Sequence, residues 1–327
     1  MKSWFVRPAL ILICLVALPF RSPAPLVYTP GEGWTYEAAG EKTGNWQRTR
    51  AKDQLEVAQE ALDKKDFDLA LKAARRVVKV WPLSDYAPQA QYLIGRCYEA
   101  DGNDEKAFNA YQRVLEKYPK IENHQEILGR QYQIATRFLN GQRFKLWGIF
   151  PFFRSMEKTS EMYAKVIRNG PYSDVAPQAQ MNIGAAREKQ SEYAQAVKAY
   201  ERAADRYNDR KDVASEALYK AGLAYNKQAS TAEYDQSVAG QAIATFNDFT
   251  ALYPNDARGV AAQKLIATLK AEQARGSFQI AKFYEKNKKW DGALIYYNEV
   301  LLKDPDSQIA LTAREKIDSL KKKAGQN

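Results

Sequence analysis

The sequence predicts an all-α fold, a right-handed solenoid of about six helical hairpins closed by a C-terminal capping helix. Three observations predict it. The dodecapeptide SDYAPQAQYLIG at Ser84–Gly95 returns as SDVAPQAQMNIG at Ser173–Gly184 with nine of twelve letters identical, which marks a duplicated structural unit. Small and aromatic residues recur at matching offsets through most of the 327 residues. Prolines stand at Pro82, Pro119, Pro171, Pro254 and Pro305, where each would end the helix before it.

The first element is a leader. Lys2 and Arg7 precede an apolar run from Ala9 to Phe20, too short to cross a bilayer core of about 30 Å and suited to a secretory signal. Residues 1–24 read as a signal segment, so the chain is expected to be exported. Three fates fit these residues: lipid attachment at Cys14, cleavage after Ser22-Pro23-Ala24, or retention as an anchor. Residues 25–50 read as an extended linker punctuated by Pro and Gly, with Trp34 and Tyr36 expected to tuck onto the first hairpin.

The hairpins follow. Each copy of the dodecapeptide comes after a proline and opens a helix, with Ser84-Asp85 or Ser173-Asp174 at the N-cap and Pro88 or Pro177 in the first turn. Beyond Gly95 stand Tyr98, Ala107, Tyr111, Val114 and Pro119, the small, aromatic, alanine, aromatic, aliphatic, proline ladder of a tetratricopeptide (TPR) hairpin. The reason is steric. The small residue of the first helix and the alanine of the second lie where the backbones approach most closely, and the aromatics fill the wedge between neighbours. The ladder recurs through Ala58, Ala61, Ala70, Ala74, Val77 and Pro82, and through Gly184, Ala196, Tyr200 and Ala203. A stretched form, with about eight extra residues around Ala229 to Ala239, runs through Gly222, Tyr225, Ala242, Phe246, Phe249 and Pro254. The last passes through Ala281, Tyr284, Ala293, Tyr297, Val300 and Pro305. A degenerate third unit holds Ala135, Tyr163, Val166 and Pro171. The solenoid is thus expected over 51–323, with hairpins at about 51–82, 84–119, 123–171, 173–208, 212–254 and 257–305. A capping helix at 307–322, amphipathic through Ile309, Ala313, Ile317 and Leu320, and a tail at 324–327 complete it.

An aromatic insertion, RFLNGQRFKLWGIFPFFR at 137–154, interrupts the third unit with no helical period. Phe144, Trp147, Phe150, Phe152 and Phe153 must be buried against something, because loops normally shed aromatics. They either meet a partner or membrane surface or fold back onto the solenoid.

The residues that carry chemistry do not form a catalytic pattern in the sequence. A single histidine, His124, at a polar helix start, removes most His-based metal sites and triads. No Gly-x-x-x-x-Gly-Lys phosphate loop occurs, and Gly31-Glu32-Gly33 reads as a turn. Carboxylate pairs such as Asp104-Glu105 fall in turns between helices, where capping explains them. No catalytic residue, metal, cofactor or small-molecule substrate is expected. Cys97 is the one thiol outside the leader and reads as a buried small apolar residue. The net charge is +10, or about +7 without the leader cations Lys2, Arg7 and Arg21, but basic residues are spread among acids, which argues against nucleic acid.

Binding is what such a fold offers. Stacked hairpins present their first helices on one face, where a peptide meets several repeats at once. The positions expected there are Gln89, Tyr92, Arg96 and Glu99 of the second unit, Tyr132 and Thr136 of the third, and Gln178, Met181 and Glu188 of the fourth. Tyr92, Arg96 and Tyr132 are the expected anchors, since aromatic and arginine side chains dominate binding hot spots. For Tyr92 the alternative is packing between repeats.

The region from Asp53 to Lys322 resembles the BamD (ComL-like) family of outer-membrane protein assembly lipoproteins. The specific part is C-terminal: Leu252-Tyr253-Pro254, a long helix from Ala257 to Ala274, then Ala281-Lys282-Phe283-Tyr284-Glu285-Lys286 leading to Trp290-Asp291-Gly292-Ala293. The resemblance implies a periplasmic protein at the inner face of the outer membrane. It implies as partners a β-barrel insertase and its assembly proteins, with unfolded barrel substrates received there. The aromatic insertion and an additional repeat unit lie outside that family's usual five-repeat pattern. A periplasmic TPR adaptor of the Tol-Pal type shares the Ser-x-Tyr-Ala-Pro start and Tyr-Pro stop, but typically adds an N-terminal coiled coil, and no heptad pattern precedes Asp53. An envelope hydrolase on a helical fold is the remaining alternative.

Overall fold

The structure, a computed structural model, describes residues 26–29, 31, 33–36, 46–146, 150–231 and 236–324. The leader with Cys14, and Trp147 of the insertion, lie outside them, as do the side chains of Trp34, Tyr36, Phe150 and Phe152. Among the described residues are thirteen helices and four short strands, the all-α tetratricopeptide solenoid that the ladder predicts. The chain divides into two units, residues 1–122 and 123–327.

In the first unit β1 (Leu26–Thr29) pairs antiparallel with β2 (Gly33–Tyr36) across a turn in which Gly31 takes φ 83°. The Gly31 carbonyl accepts from the Asp85 amide at 2.8 Å, which ties the turn to the second hairpin. Helices α1 (Ala51–Asp63) and α2 (Phe67–Val80) form one hairpin, α3 (Ala87–Ala100) and α4 (Asp104–Lys117) the next. Their core holds Ala58, Ala70, Ala74, Ala90, Val77 and Cys97, all without solvent exposure. Burial pushes the Cys97 thiol up to about 11, so it is an inert packing residue.

In the second unit α5 (His124–Leu139) and α6 (Met156–Asn169) flank a β-hairpin of β3 (Phe144–Leu146) and β4 (Phe150–Phe153). The pairs α7 (Ala176–Lys189) with α8 (Tyr193–Arg206) and α9 (Lys211–Thr231) with α10 (Gln236–Leu252) follow, then α11 (Gly259–Lys286), α12 (Trp290–Lys303) and α13 (Gln308–Ala324). The eight extra residues of the stretched repeat go into longer helices, 21 residues in α9 and 17 in α10. Helix α11 runs unbroken for 28 residues past Gly276. Its first half, Ala262, Ile266 and Leu269, is buried with Phe246 and Phe249, and its second half, Ala274 and Ala281, with Tyr297 and Val300. One rigid helix therefore belongs to two cores.

The ladder glycines must be small, but the space they leave is taken by an aromatic ring of the second helix of the same hairpin rather than by a close backbone. A Cβ built on Gly222 would stand 2.6 Å from Cε1 of Phe246, and on Gly95 or Gly184 closer still to the rings of Tyr111 and Tyr200. Duplication extends to side-chain bonds. Gln91 and Gln180 donate to the carbonyls of Ala110 and Ala199 at 3.4 and 3.0 Å, and the phenols of Tyr118 and Tyr207 donate back to Pro82 and Pro171. Four hairpin turns also share one geometry. Lys65, Gly102, Ser191 and Lys288, each the middle of three linking residues, take φ of 55–68°, and the next amide bonds five residues back, closing the helix end.

The N-cap expectation fails. Ser84 and Ser173 lie three residues before their helices, and their hydroxyls donate back to the carbonyls of Trp81 and Gly170. The cap positions are Tyr86 and Val175, with no side-chain cap bond. Pro88 and Pro177 do occupy the first turn, where a missing amide proton costs nothing.

Candidate partner-binding face

In the second unit the first helices α5, α7 and α9 lie side by side, as α1 and α3 do in the first. The expected contact residues fall on these helices but differ sharply in what they offer.

On α3 Gln89 is exposed, while Arg96 and Glu99 are half-buried. Tyr92 is only 4 % exposed, its ring 5.9 Å from that of Tyr111, so most of its surface is already spent on packing. Arg96 lies over the Tyr92 ring at 5.8 Å and donates to its hydroxyl at 3.1 Å. Glu99 accepts from the Tyr111 phenol at 2.7 Å. The helix thus presents a guanidinium held by an aromatic ring, with a carboxylate one turn further on.

On α5 and α7 a polar cluster forms. Asn182 donates to the hydroxyls of Tyr132 and Tyr163 at 3.2 and 3.1 Å. The Thr136 hydroxyl donates to the Tyr132 carbonyl at 2.9 Å, and its oxygen lies 3.0 Å from the Tyr163 hydroxyl. Thr136 has one proton to give, so Tyr163 donates to Thr136 and accepts from Asn182. Burial pushes Tyr163 up to about 12, with the Thr136 and Asn182 bonds acting against it, so the phenol remains a donor at neutral pH. Exposed Gln178 and half-buried Tyr132 and Asn182 give this cluster an accessible edge. Met181, by contrast, is 2 % exposed within the core of Tyr200 and Ala217.

Glu188 is engaged twice, by the Tyr200 phenol at 2.9 Å and by Lys227 of α9 at 2.8 Å. Asn182 is not among the contact residues expected from the sequence. Its signal was present: within the two near-identical dodecapeptides Asn182 replaces Leu93, a polar change at an apolar station.

Two aromatics of the insertion, Phe144 and Phe153, pack against the flanking helices α5 and α6. The ring of Phe144, 2 % exposed, stacks on Phe138 of α5 at 4.1 Å and 11°, and Phe153 lies 5.8 Å from it. Lys158 of α6 sits 5.0 Å over both Phe144 and Phe153. The strand pairing was not expected, because Pro151 and the irregular register hide the alternation of a strand.

Among the described residues no three His, Cys, Asp or Glu side chains are grouped to hold a metal ion, and no helix is long and apolar enough to cross a membrane. What the fold defines is a class of protein, a TPR scaffold for protein interaction. Residues 154–324, just over half of the chain, match the YfiO family model, described as outer membrane lipoprotein, and residues 55–120 match a tetratricopeptide repeat model. The chain belongs to the YfiO (BamD) family of outer membrane lipoproteins.

Among solved structures the chain is similar to the C-terminal part of a TPR repeat-containing protein from Cytophaga hutchinsonii, at 16 % identity over 81 % of this chain and 87 % of that one, with a TM-score of 0.36. MamA of Desulfovibrio magneticus RS-1 is 14 % identical over 63 % and 97 %, TM-score 0.33. PilF of Pseudomonas aeruginosa is 11 % identical over 81 % and 97 %, TM-score 0.29. No curated protein matches the chain in sequence.

Proposed function

We propose that this chain is a non-catalytic periplasmic scaffold of the machinery that assembles outer-membrane β-barrel proteins. Its partners are a β-barrel insertase and that insertase's assembly proteins, and unfolded barrel substrates are received on the first-helix face. The observation that carries the reading is the family match over 154–324, which covers the second unit from the end of the insertion through α13. The polar edge of Gln178, Asn182 and Tyr132, and the Arg96 and Glu99 pair on α3, supply side chains able to meet a peptide backbone and its charges.

Peripheral association with the inner face of the outer membrane follows from the same reading, by lipid at Cys14 or through the partners. The test is affinity purification of the tagged chain from detergent-solubilised envelope, with mass analysis of the mature N-terminus. The reading predicts co-purification of a β-barrel protein with periplasmic domains in near-stoichiometric amount. Recovery of cell-wall-bound lipoproteins and no β-barrel protein would instead identify an adaptor of the Tol-Pal type.

A further inference from the structure

Many basic residues of the chain are interleaved with acids, whereas α11 gathers several of its cations along one side. It carries Lys264, Lys270, Arg275, Lys282 and Lys286 against two acids, Glu272 and Glu285. Glu285 is already engaged by the Tyr297 phenol and by Lys316. Lys264, Arg275, Lys282 and Lys286 follow at intervals of 11, 7 and 4 residues, each close to a whole number of helical turns. They therefore stand in one row about 33 Å long. All four are exposed, and none forms an ion pair among the described residues. The opposite side of the helix is fixed in two cores through Ala262, Ile266, Leu269, Ala274 and Ala281, so the row is held straight. Exposed Lys288 and Lys289 continue the charge past its end. Two apolar side chains, Val260 at 65 % and Phe283 at 63 % exposure, flank the row near its two ends.

We propose that this face of α11 rests on a membrane surface carrying anionic phospholipid headgroups. The chemistry favours lipid over an acidic protein. Protein interfaces are depleted in lysine and use the fork of arginine to read carboxylates, whereas this row is three lysines to one arginine. Lysines are mobile point charges on long stems, suited to a layer of diffuse phosphates, and a straight row spans several headgroups. Single exposed apolar side chains beside such a row enter the headgroup region to a shallow depth. The inference goes beyond the scaffold reading and does not depend on which protein occupies the first-helix face.

The test measures partition of the full chain onto phosphatidylcholine vesicles with and without about one third phosphatidylglycerol, read as the ratio of the two constants so that leader insertion cancels. Each lysine or arginine near an anionic surface contributes on the order of a fivefold gain. The wild-type ratio is expected at about 100 or above, and K264Q/R275Q/K282Q/K286Q is expected to lower it about tenfold or more, with Lys288 and Lys289 holding the remainder. Glutamine keeps helix propensity at these exposed sites, and an unchanged far-UV spectrum verifies the fold. F283S lowers partition onto both vesicle types a few-fold. K198Q/R202Q/R206Q, on the surface of α8 where Glu201 and Asp205 interleave the cations, changes the ratio far less. An equal ratio for the wild type and the fourfold variant overturns the proposal. So does preferential capture of this face by soluble polyglutamate over anionic vesicles, which would make an acidic protein its partner.

Discussion

The phenol of Tyr200 donates a 2.9 Å hydrogen bond to Oε1 of Glu188, and the same bond at the same twelve-residue separation joins Tyr111 to Glu99 and Tyr297 to Glu285, each at 2.7 Å. It fastens the second helix of a hairpin to the first. In two of the three cases a lysine from the helix after the hairpin completes the contact, Lys227 of α9 on Glu188 and Lys316 of α13 on Glu285. In those two cases the carboxylate joins both helices of one hairpin to the helix that follows. Y200F removes a bond from a buried phenol to a charged group and is expected to cost about 2 kcal/mol in urea unfolding.

The same bonds set an alkaline limit. Burial first, and then the charge of Glu188, hold Tyr200 well above the usual phenol range. Burial and the bond to Glu285 do the same for Tyr297, and burial with the Glu201 bond pushes Tyr225 up to about 12. A phenol whose folded value lies above its unfolded 10.0 adds stability that is complete below pH 10 and is lost as pH rises toward the folded value. Stability is therefore expected to fall from about pH 10 upward, with a shallower decline in Y200F, measured as urea midpoint against pH.

At the acid end Arg258 acts on Asp256. Its Nε and Nη2 donate to the carboxylate at 2.8 and 2.6 Å while the guanidinium lies over Tyr219 and Phe249. The Arg258 side-chain bonds hold the Asp256 carboxyl well below its usual 3.8. A depressed carboxylate stabilises the fold fully above pH 4, and that contribution is lost as pH falls below it. D256N is expected to lower stability by about 1 kcal/mol at pH 7, and the gap to wild type is expected to narrow steadily from pH 4 to pH 2.

Two glycines in first helices should respond oppositely to one methyl group. G184A drives a Cβ into the Tyr200 ring and is expected to destabilise by about 1–3 kcal/mol. G129A on α5 meets nothing within 4 Å and is expected to stabilise by about 0.5–1 kcal/mol through helix propensity. Thermal unfolding of the pair separates close packing from backbone entropy.

These contrasts show what the sequence carried. Gly95 with Tyr111 and Gly184 with Tyr200 are set by sterics within a single hairpin, so spacing alone reveals them. Ser84 looked like a cap because capping is inferred from residue type, but the chain needs a further turn before α3 and spends the hydroxyl on Trp81. The continuity of α11 was hidden by Gly276, whose helical cost is offset by burial of Ala274, Ser277 and Ala281 on either side of it. Tyr92 was expected as an anchor from its type, yet its ring is taken up by Tyr111 and Arg96, a matter of tertiary packing. Probing that face through Y92A would mix binding with a core lesion. R96E, at a half-buried site, is expected to reduce partner recovery about tenfold or more with little change in melting temperature.

The most direct measurement is site-specific photocrosslinking in intact cells, with the photoreactive residue at exposed Gln178 on α7 and, for comparison, at Arg202 on the second helix α8. The account predicts a crosslink to a β-barrel outer-membrane protein, or to an unfolded precursor of one, from position 178 and little from 202. Equal crosslinking from both positions, or products from 178 that contain no such protein, would contradict it.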